Sequence, residues 1–197
     1  MSEVVLASTS VARIAMLQGA GVAFAAEAPG VDEAGPKAKL LQEGASPQKV
    51  AEMLAAMKAI AVSQRRPGLV IGADQTLDLD GALIDKAGSV EELRGHMYQL
   101  RGRRHRLHSA VVVAEAGAPV WRTTDSASLS MRVFSAGFLD SYLARNGERV
   151  MSSVGGYQLE GEGAQLFDQI HGDYFTILGL PLLPLLDFLR IRGAVPT

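Results

Sequence analysis

Short apolar runs that resemble buried strands alternate with helical patterns along this chain, and this alternation limits the fold more than any other feature. The run Val4-Val5-Leu6 comes first, and a helix capped by Thr9 or Ser10 is predicted to follow it to about Gln18. Strands that alternate with helices form layered α/β domains, in which helices cover a sheet. We therefore predict an α/β fold with a mixed central sheet and helices on both faces. It would form a single domain over residues 1–197, with two lobes around a cleft.

Turn and cap signals mark the other elements. Residues 29–45 are rich in Gly, Pro and charge, so they are predicted to form a long loop with at most a short helical piece. A helix that begins near Ala136 is expected to end at Asn146-Gly147. The remaining patterns predict strands at about 22–26, 69–72, 107–114 and 120–133, a hairpin at Asp80-Gly81, and helices at about 47–63, 89–99 and 181–192.

Composition and the N-terminal pattern exclude several classes of function. The sequence has 19 Lys and Arg against 21 Asp and Glu, a balance that does not favour binding to duplex nucleic acid. It contains no cysteine, which excludes disulfides, thiolate nucleophiles and thiolate zinc sites. The first twenty residues resemble neither a signal peptide nor a membrane span, so we expect a cytoplasmic protein without membrane contact.

The tetrapeptide Gly72-Ala73-Asp74-Gln75 follows the apolar run Leu69-Val70-Ile71 and places a carboxylate where a buried strand is predicted to end. Ligands of α/β sheets bind beyond the carboxyl ends of strands, which makes Asp74 a candidate functional residue. Asp after Gly is also common in turns, so an ordinary turn residue is the alternative.

The turn after the first strand has the composition of an anion site. Ser8, Thr9 and Ser10 bring three hydroxyls to the free N–H groups of a helix start. Arg13 lies in the first helical turn, where the helix dipole disfavours a cation unless an anion is bound nearby. A phosphate fits this pattern, and an ordinary cap with a solvated arginine is the alternative.

Two lysines and an acidic pair supply further candidate groups. Lys58 has apolar neighbours three and four positions away, so its ammonium either reaches a cleft or snorkels to solvent. Lys86 follows the predicted hairpin, which returns it towards Asp74 or leaves it on the surface. Asp32-Glu33 supplies a second carboxylate, and acidic sites beside a phosphate site suit Mg²⁺ or Mn²⁺, with a solvated acidic loop as the alternative. In the basic stretch 101–108, His105 is predicted to point inward, and the other residues are predicted to be largely solvated.

Several pieces of sequence, spread over nearly the whole chain, also carry a family resemblance. They are Leu6-Ala7-Ser8-Thr9-Ser10-x-x-Arg13, Val31-Asp32-Glu33, Lys58, Gly72-Ala73-Asp74-Gln75, Lys86, Gly102-Arg103-x-His105, Gly155-Gly156-Tyr157 and Gly179-Leu180-Pro181-Leu182. In this order they resemble the Maf family, the septum-formation-inhibitor-like nucleoside triphosphate pyrophosphatases. The resemblance implies a Maf/inosine triphosphatase-like fold with a nucleotide-binding cleft.

The resemblance also implies a reaction. Proteins of this family hydrolyse a nucleoside triphosphate between its α- and β-phosphates, use a divalent cation such as Mg²⁺, Mn²⁺ or Co²⁺, and typically form homodimers. Asp74 would be the catalytic carboxylate that accepts a proton from water, and Glu33 and Asp74 would hold the metal. The substrate-binding residues would be Ser8, Ser10, Arg13, Lys58 and Lys86.

Three positions, Ala12, Gln75 and Glu160, bear on the nucleobase. Gln75 and Glu160, with the Ser-Thr-Ser start, are similar to the branch of 7-methyl-GTP pyrophosphatases. A carboxylate at Glu160 would accept hydrogen bonds from a guanine edge and favour the positive charge of a methylated base. Ala12 replaces a larger residue common in that branch, and Gly155-Gly156-Tyr157 fits the general family pattern better, so dTTP- or UTP-type nucleotides are the alternative substrates.

Two functions from other classes stay open at this point. One is a regulatory nucleotide binder involved in cell-division arrest, in which hydrolysis is incidental. The other is a catalytically weak nucleotide sensor, which would bind substrate tightly with negligible turnover across metals.

Overall fold

A seven-stranded mixed sheet forms the centre of the protein in a computed structural model that describes residues 3–196. Its strands are β1 (Val4–Leu6), β2 (Ala25–Ala26), β3 (Leu69–Leu79), β4 (Ala82–Ile84), β5 (Arg104–Glu115), β6 (Ala118–Met131) and β7 (Phe167–His171). The α-helices are α1 (Val11–Gly19), α2 (Ala34–Gln42), α3 (Pro47–Ser63), α4 (Val90–Leu100), α5 (Ala136–Val150), α6 (Tyr174–Ile177) and α7 (Leu182–Ile191), and short 3₁₀ turns lie at Val154–Gly156 and Glu162–Leu166. Among these residues, no helix is both long and apolar enough to cross a membrane.

The strand order β2-β1-β3-β5-β6-β7 leaves a gap along one edge of β3. β1 runs parallel to β3 and pairs with it only as far as Leu6 opposite Ile71. On the same edge, β4 pairs with β3 antiparallel from Leu77 onward. Residues 72–76 therefore have no strand partner on that side within the described chain, while β5 pairs with them continuously on the other.

Helices cover both faces of the sheet, which confirms the predicted α/β class. On one face, small residues of α3 such as Ala55 pack against Ala110 and Val112 of β5. On the other face, α1 and α7 bury Leu17 and Leu185 against the sheet. A third apolar cluster joins α4 and α5 to the far ends of the strands, and it includes Leu77, Leu93, Met97, Leu107, Leu129 and Tyr142. The single domain and its two lobes stay predictions.

Gly72 determines how closely α3 lies on β3. A Cβ atom at this position would lie 2.3 Å from the carbonyl oxygen of Ala55 and 2.5 Å from the amide nitrogen of Ala59. Such contacts are too short for any side chain, so only glycine lets the helix backbone approach the strand this closely. The hydroxyl of Thr76 also donates to the carbonyl of Pro47 at 2.8 Å, which fixes the first turn of α3 on the same strand.

Three predictions about the extent of helices and strands were wrong. The segment 29–45 contains the nine-residue helix α2, because Pro36 is tolerated in a first turn and the residues after it are good helix formers. α5 continues past Asn146-Gly147 to Val150, since the Asn146 amide is buried and donates to the Tyr142 carbonyl. Asp74 lies inside β3, not at a strand end, because β5 pairs with that strand from Val70 to Asp78 without interruption.

Candidate active site

A cleft of about 930 Å³ opens at the unpaired edge of β3. The structure brings every nominated residue to this one cleft, whose wall includes Ser8, Ser10, Ala12, Arg13, Glu33, Lys58, Asp74, Gln75, Lys86 and Glu160. Asp74 reaches the cleft from the middle of its strand because β1 ends three residues earlier, opposite Ile71. Asp74 therefore lies just beyond the carboxyl end of the parallel pair of β1 and β3, although β3 itself continues past it.

Lys58 links two acidic residues of the cleft wall, Asp74 and Glu33. Its Nζ donates to Oδ1 of Asp74 at 2.5 Å and lies 3.1 Å from Oε2 of Glu33. The Lys58 side chain is only 9% exposed, because α3 presents alanines to the sheet and carries the lysine stem along the core. A buried ammonium is retained where carboxylates neutralise it, and here the two carboxylates of Asp74 and Glu33 contact it.

Glu33 reaches the cluster from the start of α2. It occupies the N-cap position of that helix but makes no capping hydrogen bond with its side chain. The neighbouring Asp32 has the structural role instead, since its Oδ1 accepts from the amide of Ala34 at 3.0 Å. The Glu33 carboxylate is therefore free to point towards Lys58.

The N-terminus of α1 forms the second wall of the cleft. Ser8 is buried and its hydroxyl accepts from the Ser10 amide at 3.2 Å, while Ser10 caps the helix. Arg13 follows in the first turn, which contains no acidic residue. Free amides, hydroxyls and a cation thus face the same space, which is the arrangement that binds an anion at a helix N-terminus.

Arg13 is held in place from the far end of the chain. Its Nε donates to the carbonyl of Gly179 at 2.9 Å. Burial lowers the pKa of Arg13, while the charges of Asp74 and Glu33 oppose that shift; a guanidinium remains protonated in either case. Gly179 has a φ of +100° and lies against the guanidinium, so a glycine is required at this contact.

Gln75 ties β3 to α6. Its Nε2 lies within hydrogen-bond distance of Ser109 Oγ at 2.9 Å and of the carbonyls of Thr176 and Ile177 at 3.1 and 2.9 Å. The Gln75 amide nitrogen is therefore already hydrogen-bonded within the protein. The predicted role of Gln75 in selecting the nucleobase would depend on the part of its side chain that lines the cleft. Ala12 and Glu160 line the same cleft.

The sequence did not identify three charged residues of the wall: Lys37, Asp85 and Arg149. Lys37 was missed because its segment was predicted to be a loop, whereas on a helix it lies one turn after Glu33. Arg149 was missed because its helix was predicted to end four residues earlier. Both residues lie on helical segments that the sequence patterns did not predict. Their residue types alone do not indicate that they line a cleft.

Of the two histidines of β5, His105 lies as predicted from the sequence and His108 does not. His105 is buried, as predicted, and its Nε2 lies 2.7 Å from the hydroxyl of Tyr157. Burial lowers the pKa of His105 to about 4. His108 is also buried, contrary to the prediction of a solvated residue, because it lies between Ser126 and Asp78.

Known proteins and a family model both match this chain over nearly its whole length. A 52% identical relative from Paramagnetospirillum magneticum, aligned over 95% of this chain and 97% of its own, is named nucleoside triphosphate pyrophosphatase. The same name is given to a relative from Caulobacter vibrioides, which is 60% identical over 99% of this chain and 98% of its own. A relative from Brucella abortus, 47% identical over 95% of both chains, is named 7-methyl-GTP pyrophosphatase. The family model described as Maf-like protein matches residues 3–192, and the chain therefore belongs to the Maf family.

Proposed function

We propose that this protein hydrolyses a nucleoside triphosphate between the α- and β-phosphates and releases a nucleoside monophosphate and pyrophosphate. The observation that carries the proposal is the buried contact of Lys58 with Asp74 and Glu33, inside a cleft that Arg13, Lys86 and the start of α1 also line. The names of the relatives from Caulobacter and Paramagnetospirillum support the same activity.

The cationic wall is suited to bind the polyphosphate. Ser8, Ser10 and the free amides of α1 would contact phosphate oxygens, and Arg13, Lys58 and Lys86 would neutralise their charge. Phosphoryl transfer needs little covalent chemistry from the protein, but it needs the phosphates held and a water aligned for attack. The fixed position of Arg13 on Gly179 supplies part of that alignment.

A divalent cation fits the acidic side of the cleft. Glu33 and Asp74 both contact the Lys58 ammonium, and this convergence supports a cation site between their carboxylates. The described residues contain no cluster of three or more metal-ligating side chains, so phosphate oxygens and water would complete the shell, as is usual for Mg²⁺. We assign Glu33 and Asp74 as the residues that would hold Mg²⁺, Mn²⁺ or Co²⁺. When bound, the cation would neutralise negative charge on the phosphate oxygens.

Asp74 is assigned as the general base. Oδ1 accepts from Nζ of Lys58 at 2.5 Å, and this contact orients the carboxylate. The oxygen of a water molecule forms a bond to the α-phosphorus and one proton passes to Asp74, while the bond between that phosphorus and the oxygen that bridges it to the β-phosphate breaks. The pyrophosphate departs with the electron pair of that bond, and Lys58, Lys86 and Arg13 stabilise the charge that it carries.

The finer proposal concerns the base, and 7-methyl-GTP is the substrate that we favour. Glu160 lies in the cleft wall, where a carboxylate would accept hydrogen bonds from guanine and attract the positive charge of the methylated base. The name of the Brucella relative supports this choice. A dTTP- or UTP-type substrate is the alternative, and the homodimer and the cytoplasmic location stay predictions.

A nucleotide panel tests the proposal. Purified protein is incubated with 7-methyl-GTP, GTP, dTTP and UTP in the presence of Mg²⁺, Mn²⁺ or Co²⁺, and pyrophosphate and orthophosphate are measured separately. We expect pyrophosphate and a monophosphate in equal amounts, with 7-methyl-GTP turned over fastest. Orthophosphate as the sole product, or no turnover with any metal, would overturn the proposed reaction.

A further inference from the structure

Lys37 is a cation of the cleft wall to which the proposed reaction assigns no role. It lies on α2, and its side chain is only 25% exposed although no residue of that helix is buried. Its ammonium contacts the carboxylate of Asp85, which also lines the cleft and directly precedes Lys86. An ion pair therefore bridges two segments that each carry a proposed site residue.

The geometry of α2 directs Lys37 into the cleft. Residues four apart lie on the same face of a helix, so Lys37 shares the face of Glu33, whose carboxylate reaches Lys58 at 3.1 Å. Lys39 lies on another face, pairs with Glu43, and its side chain is 76% exposed. Lys37 therefore lies beside the cleft, whereas Lys39 of the same helix does not.

The pair with Asp85 is weak enough for a substrate to displace. Partly exposed ion pairs contribute little to stability, and the Asp85 side chain is 55% exposed. A phosphate offers a lysine several oxygens and more charge than one carboxylate does, so charge-assisted hydrogen bonds to it are stronger. Bound polyphosphate would also repel Asp85, which favours transfer of Lys37 from the carboxylate to the phosphate.

We infer that Lys37 is a further polyphosphate-binding residue, which Asp85 retains at the cleft wall until the substrate displaces that carboxylate. The inference rests on the proposed function for the identity of the ligand, and it adds a residue and a competing internal anion to that site.

Binding of inorganic tripolyphosphate with Mg²⁺, measured by calorimetry on the full chain, tests the inference without turnover. Lys37→Met should raise the Kd roughly ten- to hundredfold, as expected for a lost charge-assisted hydrogen bond. Asp85→Asn should lower the Kd about two- to fivefold, because it releases Lys37 from a weak pair. In the double variant, the Asp85 change should have no further effect, and the control Lys39→Met should bind like the unmodified protein.

The opposite signs separate binding from a merely structural bridge. If the ion pair only holds α2 in place, Lys37→Met and Asp85→Asn break the same contact and weaken binding alike, which would overturn the inference. Unchanged affinity in Lys37→Met, or no binding of tripolyphosphate to the unmodified protein, would also overturn it. Binding that depends on Lys37 in a protein that releases no pyrophosphate would instead overturn the proposed reaction alone.

Discussion

Nζ of Lys58 lies 2.5 Å from Oδ1 of Asp74, and this contact joins the helix on one face of the sheet to the strand that carries the proposed base. The contact depends on backbone packing as much as on charge. Gly72, two residues before Asp74, lets α3 approach so closely that a Cβ atom would lie 2.3 Å from a helix carbonyl. A glycine in the strand and alanines on the helix thus bring the ammonium to the carboxylate.

Asp74→Asn is expected to lower kcat by roughly a hundredfold to ten-thousandfold, because the amide cannot accept the proton of water. Substrate binding should fall much less than turnover, since Arg13, Lys58 and Lys86 are unchanged although one proposed metal ligand is lost. Steady-state release of pyrophosphate and calorimetric binding of the substrate measure the two effects. Persistent binding would also allow the variant to test a regulatory role: loss of turnover with retained effects on cell division would favour the binder over the enzyme.

Asp78→Asn is the matched control for this variant. Asp78 lies on the same strand and its side chain is as exposed as that of Asp74, at 13%, but it pairs with His108 outside the cleft. The kcat of the Asp78→Asn variant should remain close to that of the unmodified protein. Equal losses in both variants would mean that the strand is perturbed as a whole and that Asp74 has no special role.

Gly72→Ala is expected to destabilise the protein by about 1–3 kcal/mol, because α3 must move away from the strand. The same movement should separate Lys58 from Asp74 and lower kcat even in the folded fraction. Urea unfolding and turnover measure the two effects. The control is Gly95→Ala in α4, where the added methyl group meets nothing within 4 Å and should stabilise the helix by about 0.5–1 kcal/mol. A Gly72→Ala protein of normal stability and activity would contradict the packing argument.

Site residues could be predicted where their neighbours in the sequence already make them unusual. Arg13 in a first helical turn, and Lys58 among alanines, each conflict with the usual preference of a solvated helix, and both line the cleft. Asp74 was identified as well, although its position inside β3 was not, because the pairing with β5 that extends the strand joins residues far apart in sequence.

The missed parts depend on tertiary contacts. α2 buries no side chain, so its sequence lacks the apolar periodicity that predicts a helix. α5 passes through Asn146-Gly147 because its tertiary setting satisfies the buried asparagine, which also donates to Glu162 at 3.1 Å. Lys37 and Arg149 could not be assigned to the cleft without these two helices.

His105→Gln is expected to flatten the dependence of stability on pH. The pKa of His105 falls to about 4 in the folded protein, from an ordinary value of 6.5, because of burial. Between these values the unfolded chain binds the proton more readily, so acidification through this window favours unfolding, and the loss approaches about 3 kcal/mol at the acidic end. Above pH 6.5 the imidazole is neutral in both states and the penalty disappears.

Urea unfolding of both proteins from pH 7 to pH 4 measures this effect. The free energy of unfolding should fall more steeply for the unmodified protein than for His105→Gln, after any constant offset from the lost ring is subtracted. The control is His171→Gln, which removes an exposed imidazole at the end of β7, so that a change of slope found only in His105→Gln is assigned to the buried residue. Parallel curves for the unmodified protein and His105→Gln would exclude this origin of acid sensitivity.

Glu160→Gln is expected to reduce the preference for 7-methyl-GTP over GTP. A carboxylate in the cleft wall attracts the positive charge of the methylated base, whereas an amide of the same shape does not, so the ratio of the two kcat/KM values should fall by about tenfold. Steady-state kinetics with both nucleotides measures that ratio, which is insensitive to partial loss of folded protein. The exposed Glu148 provides the control, because Glu148→Gln removes the same charge outside this cleft and should leave the ratio unchanged. An unaltered ratio in Glu160→Gln would remove the charge argument for 7-methyl-GTP and favour a substrate recognised through other residues.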